Sequence, residues 1–524
     1  MITALFDWLR LAGAAGRLTR YDALAPAEYE SLMPTPLRIV ASLSRIGAKR
    51  EKNGRRLRPG ERLATAFETM SPPYVKLGQV MATRPDVIGF EMAADLGRLQ
   101  DKMPAFGNAA AIEELERTFG QPVDALYTSF SEPIAAASIA QVHRAQTKDG
   151  RDVAVKILRP KIEQRAVREF RAFSRAARLA EAVSKAARRL EPVKFIETLK
   201  ESAAIELDLR MEAGAASQLA DNLKGDARAR IPSVVWELSS RRILTVEWVD
   251  ATPISDIAAL DAAGHDRKQL AVDVIQLFLI QALQHGFFHA DMHQGNLMVD
   301  KNGVIVLIDF GIMGRLSEDA RRTFAEIIHG FITRDYTRTA KAHFDAGYVP
   351  AHHSLDQFAQ ALRAVGEPLY GRDADKMDMS RVLQQLFDVT DLFDMHLRPE
   401  LVLLQRTMVI VEGVARTLDP SINLWDAATP IVRAYITDAI GPRRQLERLR
   451  EATEKAIDVA PHIPRYLELL GEASARISED RLSLSPESTE DLARALSKQG
   501  RMTRGALWFA GSAAIILAAA LALT

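Results

Sequence analysis

The amino-acid sequence predicts an α+β protein in which helices dominate and strands are confined to a few short regions. Helical patterns rich in Ala, Leu, Arg and Glu fill most of the 524 residues. Apolar runs typical of strands are found at 126–157, 242–249 and 297–308. A chain of this length exceeds one ordinary hydrophobic core, so two or more structural units are expected.

The composition excludes some classes of protein. Lys and Arg together number 68 and Asp and Glu together also number 68, so the chain carries no net charge. A general nucleic-acid-binding protein would normally be basic, and no nucleic-acid partner is expected. The absence of cysteine excludes disulfides and cysteine-ligated metals.

The first 24 residues are apolar and basic, with Leu5, Phe6, Leu9 and Leu18 at roughly helical spacing. No uninterrupted apolar core is present, so this segment is not a secretory signal. A transit peptide or a membrane-surface helix stays open. The favoured interpretation is an amphipathic helix that packs on the rest of the protein.

A helix is predicted at 71–84, because serine and proline begin it and an arginine before a proline ends it. Lys76 and Gln79 share one face of this helix. Gly78 stands in its interior, where glycine costs about 1 kcal/mol relative to alanine. We therefore expect Gly78 to permit a close approach of another part of the chain.

Strands and a turn are predicted between 126 and 157. The Asp149-Gly150 turn precedes Val153-Ala154-Val155-Lys156, which resembles the V-A-I-K strand of protein kinases. In kinases that lysine reaches the ATP phosphates and a glycine-rich loop covers them. Alanines replace those glycines here, so phosphate handling should differ. The residues assigned to this loop are Ala135, Ala136, Ala137 and Ser138.

Two long helical patterns occupy 161–222 and are separated at Pro192. The second contains Glu206, Asp208 and Glu212. Kinases pair the strand lysine with a helix glutamate, and this cluster is the natural source of one. Which of the three acids pairs with Lys156 stays open; another is left to contact metal or Lys76.

The 242–249 strand resembles the segment that joins the lobes of a kinase. The backbone groups of Glu247 and Val249 would then contact adenine. A helix at 266–285 follows and leads into the catalytic loop.

The stretch at 287–311 carries the strongest signal. Two apolar runs flank an Asn302-Gly303 turn and predict a hairpin. The hairpin places Asp291 and Asn296 beside Asp309, and such oxygen ligands suit a hard cation that holds a polyphosphate.

The same stretch matches the kinase signature H-x-D-x-x-x-x-N followed by D-F-G. Asp291 would position or deprotonate the acceptor, Lys156 would orient the phosphates, and ATP and Mg²⁺ would be the cofactors. The metal ligands would be Asn296 and Asp309. A competing interpretation takes His289, Asp291 and His293 as the ligands of a metal hydrolase. The asparagine and the hairpin into Asp-Phe-Gly favour phosphoryl transfer.

The C-terminal segment 506–523 has no charged residue. Its length is at the lower limit for a transmembrane helix, Trp508 stands at its start, and basic residues precede it. A single-pass C-terminal anchor with the bulk of the chain in the cytoplasm is expected. The alternative is an alanine-rich helix that is amphipathic or buried.

Together these motifs resemble the UbiB family, the atypical kinase-like proteins linked to ubiquinone biosynthesis. One departure is Met292-His293-Gln294-Gly295-Asn296, where the family usually has P-H-P-G-N. Altered loop rigidity, rather than lost chemistry, is expected. The segments that carry the resemblance are Lys76–Gln79 (KxGQ), Ala135–His143, Val153–Lys156, Glu206–Asp208, Phe288–Asp291 and Asp309–Gly311.

The resemblance implies a protein-kinase-like two-lobe fold with an added N-terminal helical segment, a helix-rich C-terminal part and a C-terminal transmembrane helix. It places the KxGQ helix over the active site, so Lys76 joins Asp291 and Lys156 as a catalytic residue and approaches Glu206 and Asp208. The implied domains are 1–120 (helical extension), 121–250 (N-lobe with a helical insertion), 251–500 (helical C-lobe) and 505–524 (transmembrane tail).

The implied function is use of MgATP to support polyprenyl-quinone biosynthesis at a membrane, with the bacterial inner membrane as the location. ATP hydrolysis or small-molecule phosphotransfer is favoured over protein phosphorylation, because no Ala-Pro-Glu follows the Asp-Phe-Gly. Implied partners are a membrane lipid or polyprenyl-phenol precursor and quinone-pathway enzymes. Two alternatives stay open: a nucleotide-responsive scaffold, and the hydroxylation of the polyprenylphenol itself.

Overall fold

A computed structural model describes residues 2–440, apart from several gaps. The predicted tail at 505–524 and the end of the predicted C-lobe lie outside the described residues. Within the part of the chain that is described, no helix combines the length and hydropathy that crossing a bilayer requires. The gaps are 24–50, 53–54, 83–87, 98, 100–102, 184–187, 189–190, 368–384, 386–388, 391 and 396–398.

Helices and short strands alternate along the chain, and the mixed helix and sheet content agrees with the predicted α+β class. The strands are β1 Glu51–Lys52, β2 Arg55–Arg56, β3 Tyr127–Ala136, β4 Ala140–Thr147, β5 Asp152–Leu158, β6 Ala229–Arg230, β7 Ile243–Glu247, β8 Ala251–Pro253, β9 Phe287–His289, β10 Leu297–Asp300, β11 Ile305–Leu307 and β12 Met313–Arg315. The helices are α1 Ile2–Arg20, α2 Pro59–Glu68, α3 Pro72–Ala82, α4 Phe90–Leu96, α5 Asn108–Phe119, α6 Val123–Leu126, α7 Ile162–Val183, α8 Pro192–Glu206, α9 Leu209–Asn222, α10 Ile257–Ala262, α11 Arg267–Leu279, α12 Glu318–Ile332, α13 Tyr336–Asp345, α14 Leu355–Gly366, α15 Pro399–Leu418 and α16 Leu424–Ile440.

An antiparallel sheet with the order β3-β4-β5-β7 carries the predicted lysine strand. Lys156 on β5 lies between Val142 on β4 and Leu244 on β7. The β4–β5 turn contains Gly150 with a φ of 85°, a left-handed conformation that glycine adopts without steric cost. The sheet therefore holds the backbone of Lys156 from both sides.

The predicted hairpin at 297–308 is present. Leu297 pairs with Leu307 and Val299 pairs with Ile305 in antiparallel register. β10 also pairs with β8, and β11 pairs with β6. Within the predicted helical C-lobe, the Asp-Phe-Gly is not followed directly by a helix. Instead β12 first pairs with β9, because Gly314 has no Cβ to clash with the ring of Phe288.

The long helical pattern before Asn222 is interrupted, which corrects the prediction of one continuous helix from Pro192. α8 ends at Glu206 and α9 begins at Leu209. Asp208 causes the break, because its side chain accepts a hydrogen bond from the Arg210 backbone N–H and so caps the new helix. Glu206 and Asp208 therefore lie on opposite sides of a helix boundary.

The loop that follows β9, with Asp291 and Asn296, is preceded in the chain by α11, which is buried along most of its length. The N-terminus of α11 is capped by Asp266, whose carboxylate accepts from two backbone N–H groups. A π-helical turn, Ile280–His285, follows, and Gly286 ends it with a φ of 62°. The buried side chains of α11 belong to one hydrophobic core that also includes buried side chains of α15 and α16. The helix-rich C-terminal part therefore packs against the helix that precedes the loop.

The N-terminal helix α1 packs against α7, as the favoured interpretation expected. Its buried apolar residues are Leu11, Ala14, Ala15 and Leu18. Two residues named in the sequence pattern behave differently, since Phe6 is 55% exposed and Leu9 is 51% exposed.

The reason is Asp7, which is fully buried. Its carboxylate lies 2.9 Å from Arg171 Nε and 3.1 Å from Arg175 Nε, both on α7. Pairing an otherwise costly buried charge turns the Asp7 side of α1 inward. Phe6 and Leu9 are left on the outer side.

Gly78 in α3 permits the close approach that the sequence predicted. A Cβ atom there would lie 2.3 Å from Leu99 Cδ1 and 2.7 Å from Phe67 Cδ2. Gly78→Ala is therefore expected to lower the free energy of unfolding by about 1–3 kcal/mol through overpacking, measured as a lower Tm.

The matched control for Gly78→Ala is Gly16→Ala in α1, where an added Cβ meets no atom within 4 Å. There the better helix propensity of alanine should raise the stability by up to about 1 kcal/mol. Equal Tm changes for the two variants would contradict the packing argument.

Candidate active site

Lys156, Glu212 and Asp309 form the centre of the candidate site. The Lys156 Nζ atom lies 2.7 Å from Glu212 Oε1 and 2.9 Å from Glu212 Oε2. It also lies 3.3 Å from Asp309 Oδ2. Among the three acids left open by the sequence, Glu212 is the one that contacts Lys156. Strand β5, helix α9 and the end of the hairpin thus meet at one ammonium group.

Burial and charge act in opposite directions on these three groups. Burial lowers the pKa of Lys156, but the carboxylates of Asp309 and Glu212 outweigh it, so this pKa is raised overall. Burial raises the pKa of Glu212. Loss of part of its solvent also acts to raise the pKa of the half-exposed Asp309, but the Lys156 charge and the Gly311 N–H lower it more, and the net shift is downward. Lys156 and Asp309 are therefore held in their charged forms at neutral pH.

Asp309 adopts an unusual backbone conformation for a non-glycine residue, with a φ of 63°. Its Oδ1 atom accepts a hydrogen bond of 3.1 Å from the Gly311 backbone N–H. The neighbouring Phe310 N–H donates to Glu212 Oε1 at 3.4 Å. Strained backbone of this kind is common at functional sites, where the surroundings hold it in place.

The hairpin brings Asp291 and Asn296 close to Asp309. The Asn296 side-chain amide donates to the Asp291 carbonyl at 3.0 Å. The Ile308 N–H, one residue before Asp309, donates to the Asn296 carbonyl at 3.0 Å. These bonds bring Asp291, Asn296 and the residue next to Asp309 together at the open end of the hairpin.

The bond between Ile308 and Asn296 joins the two arms of the hairpin at its open end. His289, just before the catalytic loop, is fully buried, and its Nδ1 atom accepts from the Asp291 N–H at 3.1 Å. Burial lowers the pKa of His289, so its ring is neutral. The residue thus supports the loop rather than facing the site.

The metal-hydrolase interpretation is not supported by this geometry. His289 uses its Nδ1 atom inside the loop, while His293 Nε2 lies 3.6 Å from Asp291 Oδ2. Among the described residues, the group of three that does converge on one point is elsewhere, and two of its three members are exposed. That group is His352, His353 and Asp394.

Lys76 and Glu206 form a second ion pair, 2.8 Å from Nζ to Oε2, with both side chains mostly buried. The pair connects the KxGQ helix α3 to the end of α8. Asp208, in contrast, pairs with Arg210 at 2.7 Å, and this hydrogen-bonded contact lowers the pKa of Asp208. Asp208 therefore contacts neither lysine, and its assigned place beside the nucleotide is not supported by the contacts it makes.

The alanine-rich loop follows β3 directly, since Ala135 and Ala136 belong to the strand itself. The Ala137 N–H donates to the Ala140 carbonyl at 2.8 Å and closes the turn. Ser138, which was also assigned to this loop, is buried, with 6% of its surface exposed.

Sequence reasoning missed Arg159, which holds this loop. Its guanidinium donates to the Ala137 carbonyl at 3.0 Å from Nε and 2.7 Å from Nη2. It also donates to the Pro104 carbonyl at 2.8 Å. The one available signal was its position, three residues after Lys156 at the end of the same strand.

The predicted adenine contact of Glu247 stays a prediction for its backbone carbonyl, while its backbone N–H has a partner within the protein. Its backbone N–H donates to the Ser233 carbonyl at 2.9 Å, so this donor is already used within the protein. Its carboxylate pairs with Arg230 and accepts from Ser233 Oγ at 3.2 Å. Val249 lies two residues beyond the end of β7, outside the strand. The predicted adenine contact of Val249 stays a prediction.

Comparison with known proteins agrees with these features. Residues 98–343 match the ABC1 atypical kinase-like domain, and residues 362–423 match the UbiB helical domain. A "Probable protein kinase UbiB" from Xanthomonas oryzae pv. oryzae is 36% identical, with 88% of this chain and 85% of that protein covered. The protein of the same description from Marinobacter nauticus is 34% identical, with 96% and 90% covered.

A solved structure shares the fold. It is that of a Mycobacterium tuberculosis protein in complex with erythromycin, with a TM-score of 0.51 and 21% identity. The match covers 76% of this chain and 98% of that one. Identity and coverage with the curated relatives, together with the two matched domains, show that this chain belongs to the UbiB family of atypical kinase-like proteins.

Proposed function

We propose that this protein is an atypical kinase or ATPase that uses MgATP to support polyprenyl-quinone biosynthesis at a membrane. The observation that carries the proposal is the contact of Lys156 with Glu212 beside Asp309. A lysine and glutamate so paired orient the α- and β-phosphates of ATP in kinases. Family membership gives the link to ubiquinone biosynthesis.

The residues around Asp309 fit a hard divalent cation. Asn296 uses its amide nitrogen on the Asp291 carbonyl, so its side-chain oxygen is directed to other partners. Asp309 is half exposed and carries a lowered pKa, which keeps its oxygens available as ligands. Asn296 and Asp309 would hold Mg²⁺, which prefers oxygen ligands. When bound, the metal supplies neutralisation of phosphate charge.

The other functions, which are phosphate binding, positioning of the acceptor and control of access, would be carried out by side chains of the protein. Lys156 would bind and orient the phosphates, and Glu212 would hold Lys156 in place. Asp291, with His293 Nε2 3.6 Å from its carboxylate, would position water or a hydroxyl and accept its proton. Lys76, fixed by Glu206, would keep the KxGQ helix beside α8 and limit access by a protein substrate.

A second candidate is a nucleotide-responsive scaffold for quinone-pathway enzymes. It is favoured by the direct contact between Lys156 and Asp309, because here two nucleotide-handling groups satisfy each other. The two candidates differ in ATP turnover. Hydroxylation gains no support, since the described residues around the catalytic loop provide no converging His and carboxylate ligands.

The test is phosphate release from ATP by the full chain purified and reconstituted in phospholipid vesicles. Turnover is expected with Mg²⁺, and removal of the metal with excess EDTA should abolish it until Mg²⁺ is restored. Nucleotide binding without phosphate release would favour the scaffold. ATP turnover that is unchanged in excess EDTA would contradict the proposal. Alkaline extraction of the same vesicles reports whether the predicted tail at 505–524 anchors the chain.

A further inference from the structure

A cavity of about 740 Å³ lies apart from the candidate active site, between the N-terminal helices and α7. One wall is the face of α1 that carries Gly13. Another is the first two turns of α7, and the start of α3 forms the floor with Ser71 and Tyr74. Nothing in the proposed function uses this cavity.

The cavity is strongly basic. Five cationic side chains line it, against one acidic residue, Glu169. Arg10 lies 3.5 Å from Asp7. The other four make no ion pair with any described residue. Unpaired cations that face one another raise the local potential and favour an anion. The five are Arg10, Arg17, Lys161, Arg165 and Arg168.

The floor of the cavity carries two hydroxyl groups, those of Tyr74 and Ser71, next to Glu169. Tyr74 is buried, and burial with Glu169 alongside raises the pKa of its hydroxyl, which keeps the proton. Burial also raises the pKa of Glu169, which weakens the one negative charge in the cavity. The Ser71 hydroxyl donates to Glu169 Oε1 at 3.4 Å. Both hydroxyls are hydrogen-bonded to Glu169, so the arginines and Lys161 on the walls are the groups that meet an anion.

We infer that this cavity binds a phosphate-bearing ligand, held by Arg165 and Arg168 on α7 and by Arg17 on α1. Guanidinium groups match phosphate oxygens with paired hydrogen bonds, which favours phosphate over a single carboxylate. The volume exceeds that of one phosphate and leaves room for an organic part. Tyr74 and Lys76 lie in the same helix α3, so the ligand would contact the helix that carries the KxGQ lysine.

Two sources can supply this chemistry: a soluble phosphate ester or diphosphate, or the headgroup of a phospholipid. The exposed Phe6 lies on the same face of α1 as Arg10, Gly13 and Arg17, at spacings of three and four residues. That apolar edge makes a headgroup a source worth testing beside the soluble one.

The experiment measures both sources with the purified full chain and no Mg²⁺. Calorimetry with inorganic pyrophosphate tests the soluble source. Co-sedimentation with phosphatidylcholine vesicles, with and without phosphatidic acid, tests the headgroup. At least one of the two probes is expected to bind.

Two variants locate the binding. Arg165→Gln with Arg168→Gln removes two of the cations and should weaken binding by about tenfold or more, through loss of charge-assisted hydrogen bonds. Gly13→Leu keeps every charge but adds a side chain over the cavity, where a Cβ meets no atom within 4 Å. It should weaken binding similarly and still fold, because leucine is a better helix former.

The matched control removes two exposed charges outside the cavity, Arg178→Gln with Lys200→Gln, and should bind as the unaltered chain does. Pyrophosphate binding that both cavity variants lose supports a soluble phosphate ligand, whereas loss confined to phosphatidic acid vesicles supports a headgroup. Absence of binding by both probes overturns the inference. Unchanged binding by Gly13→Leu also overturns the inference, because the ligand would then bind to the cations without entering the cavity.

Discussion

Asp309→Asn is expected to lower the rate of ATP hydrolysis by on the order of 10³-fold. The carboxylate is the proposed metal ligand, and a metal ion supplies several kcal/mol of charge stabilisation, at about tenfold in rate per 1.4 kcal/mol. An asparagine keeps the shape of the side chain but loses its charge. The measurement is steady-state phosphate release at saturating ATP and Mg²⁺.

The fold should survive this change, because Asp309 is half exposed and Lys156 keeps Glu212 as its partner. Tm and the far-UV circular dichroism spectrum are the checks. Asp319→Asn, an exposed acid in the first turn of α12, removes the same charge away from the site and serves as the control. Asp309→Asn protein that hydrolyses ATP at the normal rate would show that the site has been assigned wrongly.

Glu212→Gln is expected to lower ATP turnover by on the order of 10²-fold, chiefly by misplacing Lys156. Small displacements of a positioning group cost about this much in rate. Glu212 holds the amine at 2.7 and 2.9 Å and also accepts from the Phe310 N–H. With a neutral amide in place of the carboxylate, Lys156 is left to Asp309 alone, and the two nucleotide-handling groups stay paired with each other.

This variant should also be less stable, since a buried charge loses its partner. Asp221→Asn, in the same helix α9 but exposed, controls for the change of charge and of residue type. The comparison uses initial rates at several ATP concentrations together with Tm. A Glu212→Gln protein with normal rates and an undiminished apparent affinity for ATP would remove Glu212 from the site.

The hairpin at 297–308 and the lysine strand could be predicted from the sequence because both depend on local patterns. Asn302-Gly303 between apolar runs determines the hairpin, and the alternation around Lys156 determines its strand. Motif spacing could then place Asp291, Asn296 and Asp309 together, and the Ile308–Asn296 hydrogen bond shows how the backbone achieves it.

The choice among three nearby acids could not be made from the sequence. The choice depends on the residue at which α8 ends. An aspartate such as Asp208 is compatible with a position inside a helix and with an N-cap position, so the sequence does not locate that end. The sequence also could not show that the Glu247 N–H is used within the protein, in a bond to the Ser233 carbonyl. Asp7 is similar: two arginines more than 160 residues away decide which side of α1 is buried. Contacts between residues that are far apart in the sequence produce no local periodic pattern, so they cannot be predicted from such a pattern.

Because of the interruption between α8 and α9, the carboxylates that contact Lys76 and Lys156 belong to two different helices. α9 is pinned to the sheet region, because the Leu209 N–H donates to the Arg241 carbonyl at 2.9 Å, and it carries the partner of Lys156. α8 carries the partner of Lys76 on the other side of the joint. The two lysines are therefore held by different helices, so a change in the tilt of α8 would alter the Lys76 contact without requiring Lys156 to lose Glu212.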